Sequence, residues 1–378
     1  MFFSIPDFEK LHSEGRIKFI EIRGEIFIYN VKENYLMRIE NPGKFFPEVV
    51  KALKNPVKTL ILHTTYECNL KCRHCYINAG EKRDDEMSIC ELSRIVREFG
   101  EMGGLTVDLS GGEAFLKEGI EEVIQTARKQ KLRTFVLSNA VNLDDSQLRR
   151  VSSYLDGIVV GLDGFYKSND DIRGKGSFEK TLRGIEKIAR EGIELSVTTL
   201  ITPQNIHQLD QFPKFISKYG GKEWSLVMPR TSGRFKDEDN VTNESYRVWE
   251  EAKRKGLLKD LQEQAKKYQV EIVLDHLLVP GAKKRIEENS KDFIYNAYNK
   301  GRACWDNTLT VMPNGDVKCC LFFEDQVYDN VRRKSLREVY ESPKREKALE
   351  EFRKYPVDKC PFVEKANLRR FNSELKTL

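Results

Sequence analysis

The sequence predicts an α/β protein: a partial (β/α)6 barrel of TIM type, with a small N-terminal β module before it and an α+β extension after it. Two observations carry this expectation. Six short apolar runs alternate with amphipathic helical patterns, which implies a parallel sheet built with right-handed crossovers. The runs also end in polar or glycine-rich residues, as a barrel with its chemistry at the C-terminal strand ends requires. A chain of 378 residues leaves room for the barrel and both appendages.

In chain order, Ile17–Ile20, Ile26–Tyr29 and Tyr35–Arg38 are β-prone runs separated by Arg23-Gly24 and Lys32-Glu33-Asn34, the pattern of an antiparallel meander. The barrel strands are expected at 60–62, 105–109, 134–137, 157–160, 195–200 and 224–227, with helices near 88–101, 118–130, 144–153, 178–191 and 206–219. A charged helical stretch over 242–268 and a strand at Glu271–Leu274 follow. Asn314-Gly315 between two β-prone runs then signals a hairpin. The implied divisions are 1–56 for the β module, 57–235 for the barrel, 236–300 for a helical connection and 301–378 for the extension.

Composition narrows the class of protein. A hydrophobic fraction of 39% with 33% charged residues describes a folded domain with a highly charged surface. The net charge of +5 is spread along the chain and selects neither nucleic acid nor membrane as a partner. No apolar run approaches the ~20 residues of a membrane span, and the start lacks a signal-peptide pattern. The expectation is a cytoplasmic protein, whose eight cysteines are then metal ligands or catalytic thiols rather than a disulfide framework. Cys90, alone near the start of a helix, is expected to be a buried small hydrophobe.

Three thiols stand in Cys68-Asn69-Leu70-Lys71-Cys72-Arg73-His74-Cys75, directly after the first barrel strand. Three thiolates suit a four-iron cube and leave one iron open. A structural zinc site completed by His74 is the alternative, although such sites favour closed tetrahedral sets of paired C-x2-4-C elements. Ser110-Gly111-Gly112-Glu113 follows the second strand, Ser138-Asn139 the third, and Gly161-Leu162-Asp163-Gly164 the fourth.

Taken together, the C-x3-C-x2-C spacing and the Gly-Gly-Glu one β/α unit later resemble the radical S-adenosylmethionine (SAM) superfamily, with His74 where relatives carry an aromatic residue. The resemblance implies a 4Fe-4S cluster on Cys68, Cys72 and Cys75, whose open iron binds SAM. It also implies an electron donor such as ferredoxin or flavodoxin, reductive cleavage of SAM to a 5′-deoxyadenosyl radical, and hydrogen abstraction from a substrate. Gly111, Gly112 and Glu113 match the motif that meets the SAM amino group, and the glycines were expected to let backbone approach the ligand. Asn139 and Asp163 match positions facing SAM, and Arg173 matches an arginine suited to a carboxylate. Gly161 stands where relatives usually carry serine.

Cys304, Cys319, Cys320 and Cys360 lie around and beyond the hairpin. They resemble the SPASM and shorter Twitch extensions of the same superfamily, Cys304, Cys320 and Cys360 most closely, and imply one auxiliary iron–sulfur cluster in a Twitch-like domain. No cysteine follows Cys360, so a second auxiliary cluster is not expected. The substrate class implied first is a peptide or protein undergoing maturation. The alternatives are a small cofactor precursor such as a porphyrin, or a non-catalytic iron–sulfur or zinc protein.

Overall fold

The computed structural model describes residues 59–236, 241–275, 308–322 and 326–350. Beyond these it gives only the backbone of residues 239–240 and 351–353 and of four strands, at 17–22, 25–30, 35–38 and 294–296. Strands β1 (Ile17–Ile22), β2 (Glu25–Asn30) and β3 (Tyr35–Arg38) form the expected antiparallel meander.

The barrel begins with β4 (Thr59–His63) and continues through α1 (Ile89–Glu101), β5 (Thr106–Ser110), α2 (Ile120–Lys129), β6 (Arg133–Ser138), α3 (Asp145–Val151) and β7 (Gly157–Gly161). It then runs through α4 (Lys167–Arg173), α5 (Ser177–Arg190), β8 (Leu195–Leu200), a 3-10 turn at Ile206–Gln211, α6 (Phe212–Lys218) and β9 (Glu223–Val227). β4 to β9 pair in sequence, all parallel. Alternation along each strand sends one row of side chains to the helices. In β4 these are Leu60 and Leu62, fully buried in the same core as Leu92, Ile95 and Phe99 of α1.

The sheet extends beyond six strands at both edges. After α7 (Asp239–Arg254) and α8 (Leu257–Tyr268), β10 (Glu271–Leu274) pairs parallel with β9, and β11 (Ile294–Asn296) with β10. The charged 242–268 stretch is therefore two helices, broken at Gly256, whose φ of 99° suits glycine. On the other edge β12 (Thr308–Val311) lies parallel to β4, and the hairpin returns through β13 (Asp316–Lys318) to β14 (Val327–Asn330). Gly315 at the turn has φ 87°. Helices α9 (Leu336–Tyr340) and α10 (Pro343–Arg353) end the described chain.

Two expectations are corrected here. Cys90 is exposed, because α1 buries the face carrying Leu92, Ile95, Val96 and Phe99 and turns residue 90 to solvent. Helix α4 was not foreseen; it is only seven residues long and rich in polar side chains, so it carries little periodic signal.

Candidate active site

The strand ends that the sequence singled out converge around the cysteine loop. The loop is closed at its base by a parallel bridge between Glu67 and Gly80, with Cys68 N–H donating to Gly80 O (2.8 Å) and Gly80 N–H to Tyr66 O (2.9 Å). Beneath this base lies Glu86, a buried carboxylate that the sequence analysis missed. It accepts from Thr65 Oγ1 (2.8 Å), Tyr66 N–H (2.8 Å) and Lys117 Nζ (3.2 Å). Burial alone would raise its pKa, but these donors outweigh burial and hold the group ionised.

The loop is then held from three sides. Arg73 N–H donates to Ile172 O of α4 (2.9 Å), and Arg234, after β9, donates to the carbonyls of Cys72 (2.8 Å) and Ala79. Asn69 receives Asn139 Nδ2 (2.7 Å) and gives its own Nδ2 to Val141 O (2.9 Å). Asn139 Nδ2 also lies 3.7 Å from the Cys68 sulfur, and Ala79 N–H donates to the Cys75 sulfur (3.3 Å).

The structure gives Gly111 and Gly112 a packing role within the protein. A Cβ at Gly112 would stand 2.1 Å from Glu67 O, and one at Gly111 2.7 Å from Thr65 O. The Gly112 and Glu113 amides donate to Thr65 O (2.7 Å) and Glu67 O (2.8 Å). The close approach that requires glycine is thus to the backbone entering the cysteine loop. Glu113 itself is buried. It accepts from Ser138 Oγ (2.8 Å) and Asn139 N–H (2.7 Å), yet burial still pushes its pKa up to about 7.

Across the site Asp163, 1% exposed, accepts Arg173 Nε at 2.7 Å and Leu200 N–H at 2.7 Å. Burial would raise the Asp163 pKa, but the Arg173 guanidinium and the Leu200 N–H outweigh it and keep the carboxylate charged. Arg173 was expected to meet a ligand carboxylate; here its Nε is committed to Asp163, and its terminal nitrogens would lie 2.5 and 2.6 Å from a Cβ at residue 161. Gly161 therefore makes room for the guanidinium, which any side chain at that position would displace. His74 Nδ1 lies 3.7 Å from Asp163, and burial depresses its pKa. Asn205 is structural: its side chain donates to Asp163 O and Leu200 O and accepts from Thr202 N–H.

These residues fit a cluster and a polar ligand. Burial raises the pKa of Cys68 to about 11 and also raises that of Cys72, while the nearby Arg173 cation favours both thiolates. A ligated iron would supply the remaining stabilisation. Among the described residues no three His, Cys, Asp or Glu side chains are already drawn together for a metal ion, so the shared loop and its clamps carry the fit. Among the described residues, buried polar atoms without a partner include His74 Nδ1, Thr202 Oγ1 and Ser232 Oγ, on the segments that follow β4, β8 and β9. Native proteins leave few such atoms, and a bound polar ligand satisfies them.

Cys319 and Cys320 follow β13. Cys319 is buried in the main core and Cys320 is half-buried at its edge. Cys304 and Cys360 lie outside the described residues.

Comparison with known proteins agrees with this geometry. Residues 62–216 match the radical SAM superfamily, and residues 304–361 match the SPASM iron–sulfur cluster-binding domain. The mycofactocin maturase MftC of Mycolicibacterium smegmatis is 30% identical over 177 residues, 46% of this chain and 45% of that one. The subtilosin biosynthesis protein AlbA of Bacillus subtilis, which serves an antilisterial bacteriocin, is 26% identical over 316 residues, 80% of this chain and 65% of its own. Synthases of haem and porphyrin cofactors match over about half of their length, and the chain spans about half the length of most curated relatives it matches. Among solved structures, SuiB of Streptococcus suis, determined with SAM and with its precursor peptide SuiA, has a TM-score of 0.69 at 15% identity over 89% of both chains in its SAM-bound form. The two domain matches cover the cysteine loop and the C-terminal cysteines; the chain belongs to the radical SAM superfamily and carries a SPASM iron–sulfur domain.

Proposed function

We propose that this chain is a radical SAM enzyme that modifies a peptide or protein substrate during its maturation. The single observation that carries the enzyme reading is the cysteine loop, closed by the Glu67–Gly80 bridge and facing both Glu113 and the Asp163–Arg173 pair. When bound, the cluster supplies the electron that cleaves SAM and yields the 5′-deoxyadenosyl radical. The protein's own residues do the rest. Cys68, Cys72 and Cys75 hold three irons. Glu113, buried without enough compensation to stay fully ionised, receives the SAM ammonium group. Asn139 orients Cys68, and His74, Asp163 and Arg173 frame the ribose and carboxylate side.

The peptide reading is supported by AlbA, whose similarity runs over 80% of the chain, and by the fold shared with SuiB along its length. Within this reading, residues 1–56 are a separate β module, and 301–378 hold one auxiliary cluster on Cys304, Cys320 and Cys360. A ferredoxin or flavodoxin delivers the electron.

The test is anaerobic incubation with SAM and dithionite, alone and with a peptide translated from any short reading frame found beside the gene. 5′-Deoxyadenosine should form, and the peptide should change mass. Cys72→Ala should abolish 5′-deoxyadenosine while iron at the C-terminal site persists. Wild-type cleavage by that variant would refute the cluster assignment, and a porphyrin precursor consumed in place of the peptide would refute the substrate class.

A further inference from the structure

His63 ends β4, and its side chain belongs to neither of the arrangements described above. Leu60 and Leu62 point to α1, so alternation turns Thr59, Ile61 and His63 to the interior of the barrel. His63 is fully buried, and neither ring nitrogen has a hydrogen-bond partner. Burial, reinforced by the Lys318 cation, lowers its pKa to about 4, so the imidazole is neutral near pH 7, with one N–H donor and one bare nitrogen acceptor. Two buried polar atoms left unpaired destabilise the fold, because each has lost its water without gaining a partner.

The ring stands apart from the Asp163–Arg173 side of the mouth. Its nearest aromatic neighbour is Tyr76, edge-on at 5.8 Å; Tyr76 meets Phe322 at 5.4 Å, and Phe322 lies under the Arg230 guanidinium at 5.2 Å. His63 thus begins a row of side chains that leads from the end of β4, past the cysteine loop, to the segment after Cys320 and on to the residues following β9. Phe322 stands two residues after Cys320, so this row joins the cysteine loop to the segment that follows Cys319 and Cys320.

We propose that His63 binds amide groups of the molecule held in the barrel mouth. Its two ring nitrogens diverge, so one donates to the C=O of one amide and the other accepts from the N–H of a second, and a peptide carries both groups at every residue. The proposal rests on the peptide reading for the identity of the ligand, but not for the existence of the site.

The test compares the full chain, anaerobically reconstituted, as wild type, His63→Phe and His63→Gln. Iron content and SAM affinity by calorimetry should stay within about twofold of wild type in both variants. The melting temperature of His63→Phe should equal or exceed that of wild type, because two unpaired polar atoms are removed. Affinity for the encoded peptide should fall about tenfold or more in His63→Phe, as the loss of two hydrogen bonds implies, and recover in part in His63→Gln, whose carboxamide keeps a donor and an acceptor.

Three results would overturn the assignment: melting temperatures several degrees lower in both variants, weakened SAM binding, or wild-type peptide affinity in His63→Phe. If wild type neither binds nor modifies the peptide, the peptide reading fails separately. Undiminished stability with unchanged SAM affinity in His63→Phe would then still assign the ring to a ligand other than SAM, and lowered stability in both variants would remove it.

Discussion

At Gly112 the backbone of the second βα turn passes so close to Glu67 that a Cβ would sit 2.1 Å from its carbonyl oxygen and 2.6 Å from its carbonyl carbon. Neither atom belongs to a flexible side-chain end, so any substitution must move the chain one residue before Cys68. Gly112→Val should therefore lower iron content together with SAM binding, measured as iron per chain after reconstitution and by calorimetry. Had the glycine served only to admit the ligand, iron content would stay at the wild-type level, and that result would return the motif to its expected role. The same logic explains Gly161. The pattern Gly-Leu-Asp-Gly marked Asp163 in the sequence, but only the structure shows the Arg173 guanidinium lying where a serine side chain would go. Pairwise packing between Gly161 and Arg173, twelve residues apart and on two elements, leaves no local trace in a sequence. Glu86 escaped notice for a related reason: nothing in Asp84-Asp85-Glu86 distinguishes the one carboxylate that turns inward beneath the loop.

Among the elements, α1 is the dock for the C-terminal region. Arg332 donates through Nε to Glu91 (2.8 Å), through Nη1 to the Asp85 carbonyl (2.8 Å) and through Nη2 to the Glu86 carbonyl (3.1 Å); Arg94 reaches Val331 O (2.7 Å), and Leu336 N–H reaches Glu98 (2.6 Å). Partial burial would raise the Glu91 pKa, but Arg332 and the Ser88 cap outweigh it and hold the group down at about 2. A carboxylate with a depressed folded pKa gives stability that is fully present above its unfolded value, near 4.5, and is lost as pH falls through about 2. Protection of the β13 and β14 amides against hydrogen exchange should fall over that window, and Arg332→Ala should bring the same loss of protection to neutral pH while leaving protection in β5 to β8 unchanged. Uniform exchange across both regions would show that the dock does not hold the extension. The strands and longer helices were legible because a parallel sheet covered by helices writes apolar runs and 3.6-residue periodicity into the chain. The parallel pairing of β12 with β4 was not, since its partners lie some 250 residues apart and a hairpin signal specifies only its own two strands.

On the scale of the molecule, that pairing decides where Cys319 and Cys320 lie. β12 lies beside the first barrel strand and β13 folds back antiparallel to it, so Cys319 and Cys320 follow a strand that runs away from the end where the cysteine loop emerges. The chain then brings Phe322 against Tyr76, next to Cys75, and against Arg230, which is anchored to Asp275 (2.6 Å) just beyond β10. Phe322 thus spans the seam between the two edges of the open barrel, and the extension meets the mouth by the side opposite Asp163 and Arg173. The residues proposed to hold SAM make none of their hydrogen bonds described above with this extension, so SAM cleavage and substrate conversion should separate. The two adjacent thiols should separate as well. Cys319 is packed in the core and Cys320 stands at its edge, so Cys319→Ala should lower the melting temperature through lost packing while the auxiliary iron is retained. Cys320→Ala should instead lose auxiliary iron, still form 5′-deoxyadenosine from SAM at close to the wild-type rate, and fail to complete the substrate's conversion. Chromatography of 5′-deoxyadenosine and modified substrate from one anaerobic reaction measures both quantities. Intact substrate turnover in Cys320→Ala, or loss of SAM cleavage with the first cluster and fold demonstrably normal, would show that the extension does not act on the substrate side.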